Sequence, residues 1–166
     1  MTDQPQPRGG ARSIDGPVRG GAIDFGVLDD FVGFQLHRAR NVAATILHHL
    51  IAPEVLPGHF PILYLIARNP GRTQSAIAKA VGLDRSSLVP ILNRFESQGW
   101  VKRLPSEGDK RAHALTLTAA GEIKLDDLYR TVSGLEERIS GELGGDGHQT
   151  MLDLLHRIQR ALDPVR

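Results

Sequence analysis

Six residues in one short stretch, Arg85, Ser86, Ser87, Val89, Asn93 and Arg94, share the face of a helix that its apolar residues leave free. Arginine, serine and asparagine are side chains that bond phosphates or base edges. Arg85, Ser86 and Ser87 stand at the start of that helix, where they can meet phosphate or bases. Either serine can instead cap the helix. Lys102 and the run Asp109-Lys110-Arg111 follow. Asp109 can hold Arg111 in a charge-assisted fork that fixes the guanidinium for DNA contact. The same pair also reads as a salt bridge that only shapes a turn. Thr73 and Gln74, at the start of the preceding helix, complete the candidate DNA-contact set. Residues 68–113 carry nine Lys/Arg against four Asp/Glu, whereas the rest of the chain carries eleven against fifteen. A basic middle in a chain of formal net charge +1 suggests a localised polyanion-binding face, or simply uneven surface charge.

Other chemistries find little support. There is no cysteine, which removes a disulfide scaffold, a Cys-ligated zinc site and a thiol nucleophile. No Gly-rich phosphate loop, G-x-S-x-G or HExxH spacing occurs. Asp126-Asp127 and Glu136-Glu137 read as solvated helix faces. No catalysis, metal or cofactor is expected. His37, His48, His49 and His59 read as surface or interface histidines; His37 and His48 are about three turns apart, too far to share one metal. The longest apolar run, residues 62–67, is far short of the roughly 20 residues of a membrane span. No secretory h-region precedes it, so no membrane partner and a cytoplasmic location are expected.

These residues need elements to hold them. Residues 1–23 are rich in Gly, Pro, Gln and Arg and read as a disordered tail. A long helical pattern follows over 24–51, with Val27, Phe31, Phe34, Val42, Ile46 and Leu50 near helical spacing. A helix over 58–68 presents Phe60, Leu63, Tyr64 and Ala67. Thr73 caps a helix over 74–81, and Gly82 suits its left-handed end. The helix over 85–98 buries Leu88, Ile91, Leu92 and Phe95. Residues 100–104 and 112–118 read as strands joined by a tip at 105–109. Two helices finish the chain, broken at 144–147. The fold class is mainly α with a small β-wing: a winged helix-turn-helix plus a helical dimerisation region. Its expected parts are the tail (1–23), an N-terminal dimerisation helix (24–56), the winged domain (57–118) and C-terminal dimerisation helices (119–166).

The run TQSAIAKAVGLDRSSLVPILNRFESQGWVKRL, followed by DKRAHALTLTAAG, resembles the MarR family of transcriptional regulators. The likeness is strongest over residues 73–121 and extends loosely over 28–162. It implies a homodimeric repressor on double-stranded DNA with a pseudo-palindromic operator, released by a small effector such as an aromatic acid or acyl-CoA. Two departures stand out. Pro90 lies inside the recognition helix, where it removes a donor and crowds the Ser86 carbonyl unless the helix bends or begins late. With no cysteine, thiol oxidation cannot be the trigger.

In this family the effector pocket lies where the dimerisation helices meet the winged domain. The basic cluster His37, Arg38 and Arg40, with His48 and Tyr64, is therefore the candidate ligand set. These side chains can equally be solvated or paired, and Tyr64 can be a core tyrosine. Phe31, Leu128, Leu154 and Ile158 are expected to pair across a two-fold axis. A winged helix used only as a protein-interaction module is the alternative, and the basic face speaks against it.

Overall fold

The computed structural model describes residues 23–51, 55, 56, 58–106 and 109–162, and the side chains of 106–113 are outside it. The expected tail therefore lies outside the described residues, apart from Ile23. The chain divides into two compact units, 1–46 and 47–166.

In the first unit a 3₁₀ helix, Gly26–Asp30, precedes α1, Val32–Leu50, which runs on into the second unit. The expected single helix over 24–51 is thus two elements. They are separated by Phe31, whose backbone is extended at φ −89° and ψ 111°. Asp24 opens the 3₁₀ helix, since its carboxylate accepts from the Gly26 N–H at 2.8 Å. Phe25 and Phe34 then pack ring to ring at 5.7 Å. No residue of α1 is buried, and Phe31, Val32 and Val42 are more than half exposed.

The second unit is the winged domain and a long terminal helix. Its order is α2 (His59–Arg68), α3 (Gln74–Val81), α4 (Arg85–Ser97), β1 (Val101–Ser106), β2 (Asp109–Leu117) and α5 (Ala119–Leu162). The core joins Ile62, Leu63 and Ile66 of α2 to Ile77 and Ala78 of α3. It adds Leu88, Leu92 and Phe95 of α4, Trp100, Val101 and Leu115, and Leu128 of α5. The α4 stripe is the expected one, with Ile91 at its margin. The α2 face is not. Tyr64 is 40% exposed, and the buried set is His59, Ile62, Leu63 and Ile66. That helix is apolar almost all round, so spacing alone does not choose its inner side.

β1 and β2 form an antiparallel ladder from Val101↔Leu117 to Pro105↔His113, with a shift before Ser106↔Asp109. Both strands run further towards the tip than expected. β1 is the edge, where proline is tolerated. The other side of β2 is taken by residues 71–73: Gly71 N–H donates to Leu115 O at 2.9 Å and Leu115 N–H to Arg72 O at 3.0 Å. A bridge pairs Thr73 with Ala114. The start of α3 is therefore sewn to the wing.

Behind the wing, Thr118 caps α5 by accepting from the Gly121 N–H at 3.0 Å, and its hydroxyl donates to Gly99 O. Gly121 lies hard against Trp100; a Cβ there would stand 2.0 Å from the Trp100 carbonyl oxygen. The expected break in the last helices is confined to Gly144, at φ 68° and ψ 166°. Leu128 is only 2% exposed and belongs to the core, so it is not available to a partner as expected. Leu154 and Leu162 remain exposed. Among the described residues no helix is long and apolar enough to cross a membrane.

Candidate nucleic-acid interface

The site is built on two capped helices. The Thr73 hydroxyl accepts from the Ala76 N–H at 3.3 Å and starts α3. Gly82, at φ 73°, ends it and turns the chain. Asp84, not either serine, is the N-cap of α4: its carboxylate accepts from the Ser87 N–H at 2.7 Å. Both serine hydroxyls also donate to Asp84, that of Ser87 at 2.9 Å. A carboxylate outranks a hydroxyl here because it accepts several donors at once and carries charge at the positive helix end. The hydroxyl of Ser86, then the N–H and hydroxyl of Ser87, lower the Asp84 pKa from 3.8 to about 2.

Gln74 and Arg85 join the helices. With the Gln74 amide oxygen turned to the guanidinium, it accepts from Nη2 at 2.9 Å and Nε at 3.1 Å. Gln74 is 7% exposed, so its amide is in effect a buried socket for an exposed arginine. On α4, Arg85, Ser86, Ser87, Pro90 and Asn93 are exposed, whereas Val89 and Arg94 are half-buried. Pro90 neither delays nor breaks the helix, which runs unbroken from Arg85 to Ser97. Asn93 Oδ1 accepts from Arg103 Nη2 at 2.8 Å, which leaves its amide N–H groups to donate outward. Arg103 also pairs with Glu96 at 2.9 Å through Nη1. Lys102, one position earlier on β1, is exposed. Asp109, Lys110 and Arg111 lie on β2, with side chains outside the described residues.

Two residues of this region were not legible as site residues. Arg103 sits on the same side of β1 as the buried Val101, and an inward arginine on a strand needs a partner; that alternation was the available signal. His59, expected at the surface, is 3% exposed. Its ring meets the edge of Phe95 at 5.0 Å, and Nδ1 accepts from the Leu56 N–H at 3.1 Å. Burial, then the charge of Arg94, lowers its pKa from 6.5 to about 4. A neutral histidine thus lies beneath the recognition helix.

The candidate ligand residues make local contacts. His37 Nε2 bonds Asn41 Nδ2 at 2.8 Å, and Arg40 donates to Asn41 Oδ1 at 3.4 Å. Arg38 lies 4.5 Å over the Phe25 ring and 3.9 Å from Asp29. His48 faces His49 at 6.0 Å. Tyr64 packs on Phe60 at 5.8 Å, and Phe60 lies 6.4 Å from Tyr129, whose spacing carries no signal of this contact. Among the described residues no group of three or more His, Asp or Glu could hold a metal.

This geometry has known counterparts. The profile of the MarR family matches residues 55–112. A Thauera aromatica protein assigned as the transcriptional regulator for the hcr operon is 34% identical over 131 residues, 78% of this chain and 79% of that protein. The chain belongs to the MarR family. The MarR-type winged helix is also shared with the transcriptional repressor CouR bound to a 23-mer DNA duplex. That structure is 32% identical with a TM-score of 0.75, over 83% of this chain and 99% of that one. CouR bound to p-coumaroyl-CoA is 31% identical with a TM-score of 0.74, over 84% and 99%. This MarR-family chain is a transcriptional regulator, of a DNA-binding class rather than an enzyme.

Proposed function

We propose that the chain is a cytoplasmic homodimeric repressor that inserts α4 into the major groove of a pseudo-palindromic operator and leaves it when an effector binds. The observation that carries the reading is α4 itself. It is capped by Asp84 and presents Arg85, Ser86, Ser87 and Asn93 to solvent, beside a hairpin bearing Lys102. A helix of this width fits the groove, and an adjoining basic hairpin reaches flanking phosphates or the minor groove. Thr73, Gln74, Val89 and Arg94 support that face from behind or beside it, and Asp109, Lys110 and Arg111 form the wing contact. The CouR structure on DNA supports this use of the fold. A gel shift on DNA flanking its own gene tests the reading. A retarded band that competitor duplex of unrelated sequence does not remove is expected. A chain that shifts no duplex would be an interaction module instead.

Dimerisation supplies the second half-site, about one helical turn away. The exposed apolar residues Phe31, Val32, Val42, Leu154 and Leu162 support it.

The effector is an aromatic acid or its coenzyme A thioester, with the cations of α1 as the candidates to hold its charge. The p-coumaroyl-CoA complex of CouR supports this class. A ligand releases DNA only through differential affinity, and a coupling of about 1–3 kcal/mol would relax the operator roughly 5- to 150-fold. Arg38 is engaged by Phe25 and Asp29, whereas among the described residues Arg40 makes one long contact to a neighbour. Arg40→Ala should therefore blunt the response to p-coumaroyl-CoA more than Arg38→Ala. Unchanged responses in both would remove α1 from the ligand site.

A further inference from the structure

Pro90 stands in the interior of α4, where helices avoid proline. It has no N–H for the Ser86 carbonyl, and its ring crowds that carbonyl. Proline is favoured at the first helical position, but here that position is Arg85. Nor does packing compensate: Pro90 is exposed, whereas Leu88, Leu92 and Phe95 on the opposite side are wholly buried. A residue that breaks a local rule on a solvent face, with no return in burial, points to function.

Its neighbours indicate which function. Ser86 and Ser87 lie one turn before it on the helix, and Asn93 and Arg94 one turn after. Both serine hydroxyls are given to Asp84, and the Asn93 carbonyl is taken by Arg103. The proline ring is thus an apolar centre on the same face, between serine hydroxyls held by Asp84 and an Asn93 amide whose N–H groups point outward. The major groove offers one apolar feature, the thymine methyl. A proline ring has no rotamer freedom to lose on meeting it. We infer that Pro90 reads a thymine methyl and so specifies one base of each half-site. The inference rests on the proposed insertion of α4.

The test begins with the full wild-type chain enriching a consensus from a library of randomised duplexes. The consensus duplex is then made with each thymine of a half-site replaced singly by deoxyuridine, which removes only the methyl group. One position should weaken wild-type binding by about 4-fold, the worth of one buried methyl group. The same change should leave Pro90→Ser insensitive, and that variant should lose the thymine preference there while keeping the rest of the consensus. Serine restores the helical N–H, so the variant should fold, and circular dichroism checks this. A flat uracil series for wild type, or equal sensitivity in the variant, overturns the assignment while leaving the DNA-reading role intact. Failure of wild type to enrich any sequence overturns both.

Discussion

Arg103 of β1 reaches Glu96 of α4 at 2.9 Å and, with its other terminal nitrogen, Asn93 at 2.8 Å. One side chain thereby fixes the angle between the wing and the recognition helix. Among the described residues its Nε is buried and meets no partner, a cost set against those two contacts. The pair is partly exposed, so its net worth is modest, about 1 kcal/mol. The functional cost should be larger than the stability cost, because Asn93 loses its orientation too. Arg103→Met should lower the urea midpoint slightly and weaken operator binding several-fold. Glu96→Gln combined with Arg103→Met should be less than additive. Full additivity in that cycle would show that the pair holds nothing.

Gly121 makes the opposite kind of contact, one of exclusion. A methyl group there would meet the Trp100 carbonyl oxygen at 2.0 Å, and backbone on both sides cannot step aside cheaply. Gly121→Ala should destabilise the chain by about 1–3 kcal/mol or more. Gly134, in the same helix, has nothing among the described residues within 4 Å of its added Cβ. Gly134→Ala should be neutral or stabilise by up to about 1 kcal/mol through helix propensity. Urea unfolding of the two variants should move in opposite directions, and a shared direction would contradict the packing described.

What the sequence disclosed follows from how local each signal is. Both ends of α3 were readable, because Thr73 and Gly82 act within a turn of themselves. The α4 stripe was readable because polar residues flank it. The buried side of α2 was not, since its sequence HFPILYLIAR offers apolar choices in every direction. The cap of α4 was present as Asp84 three positions before Ser87, but two adjacent serines competed for the same role. The Gln74–Arg85 and Arg103–Glu96 contacts join residues on different elements. Only the folded chain brings them together.

His59 gives the chain a pH dependence whose sign is fixed by its environment. Its folded pKa, about 4, lies below the ordinary 6.5, so the unfolded chain binds the proton more readily between those values. Its contribution to stability is fully present above pH 6.5 and is lost as pH falls towards 4, by at most about 3 kcal/mol. His59→Gln keeps an acceptor within reach of Leu56 but does not titrate. Urea midpoints at pH 7 and pH 4.5 should therefore differ less in the variant than in wild type. An equal difference would mean that His59 is as free to protonate in the folded chain as in the unfolded one.

The proposed dimer makes a prediction about exposed leucines. Leu154 and Leu162 are 43% and 76% exposed, whereas Leu128 is a core residue. Leu154→Glu should yield a folded monomer by analytical ultracentrifugation at micromolar concentration, and a single half-site should then bind about as weakly as nonspecific DNA. Leu128→Glu should instead unfold the chain. A wild-type monomer under the same conditions would remove the dimer from the proposal.

The Gln74–Arg85 contact separates two roles that one arginine can combine. Gln74 holds Nε and Nη2, which leaves Nη1 to face a phosphate. If Arg85 touches the DNA backbone, its removal must release one fewer counterion on binding. Arg85→Ala should then reduce the slope of log affinity against log salt by about one unit, alongside a loss in affinity. Gln74→Ala keeps the charge but removes the socket. It should weaken binding while leaving the salt slope unchanged, because an unheld arginine must be ordered when the complex forms. Arg85→Lys should keep the slope but not the affinity, since an ammonium cannot engage the Gln74 amide oxygen through two parallel donors. Measuring the three slopes side by side distinguishes a phosphate contact from a helix clamp. An Arg85→Ala protein with the wild-type slope would assign Arg85 to the clamp alone.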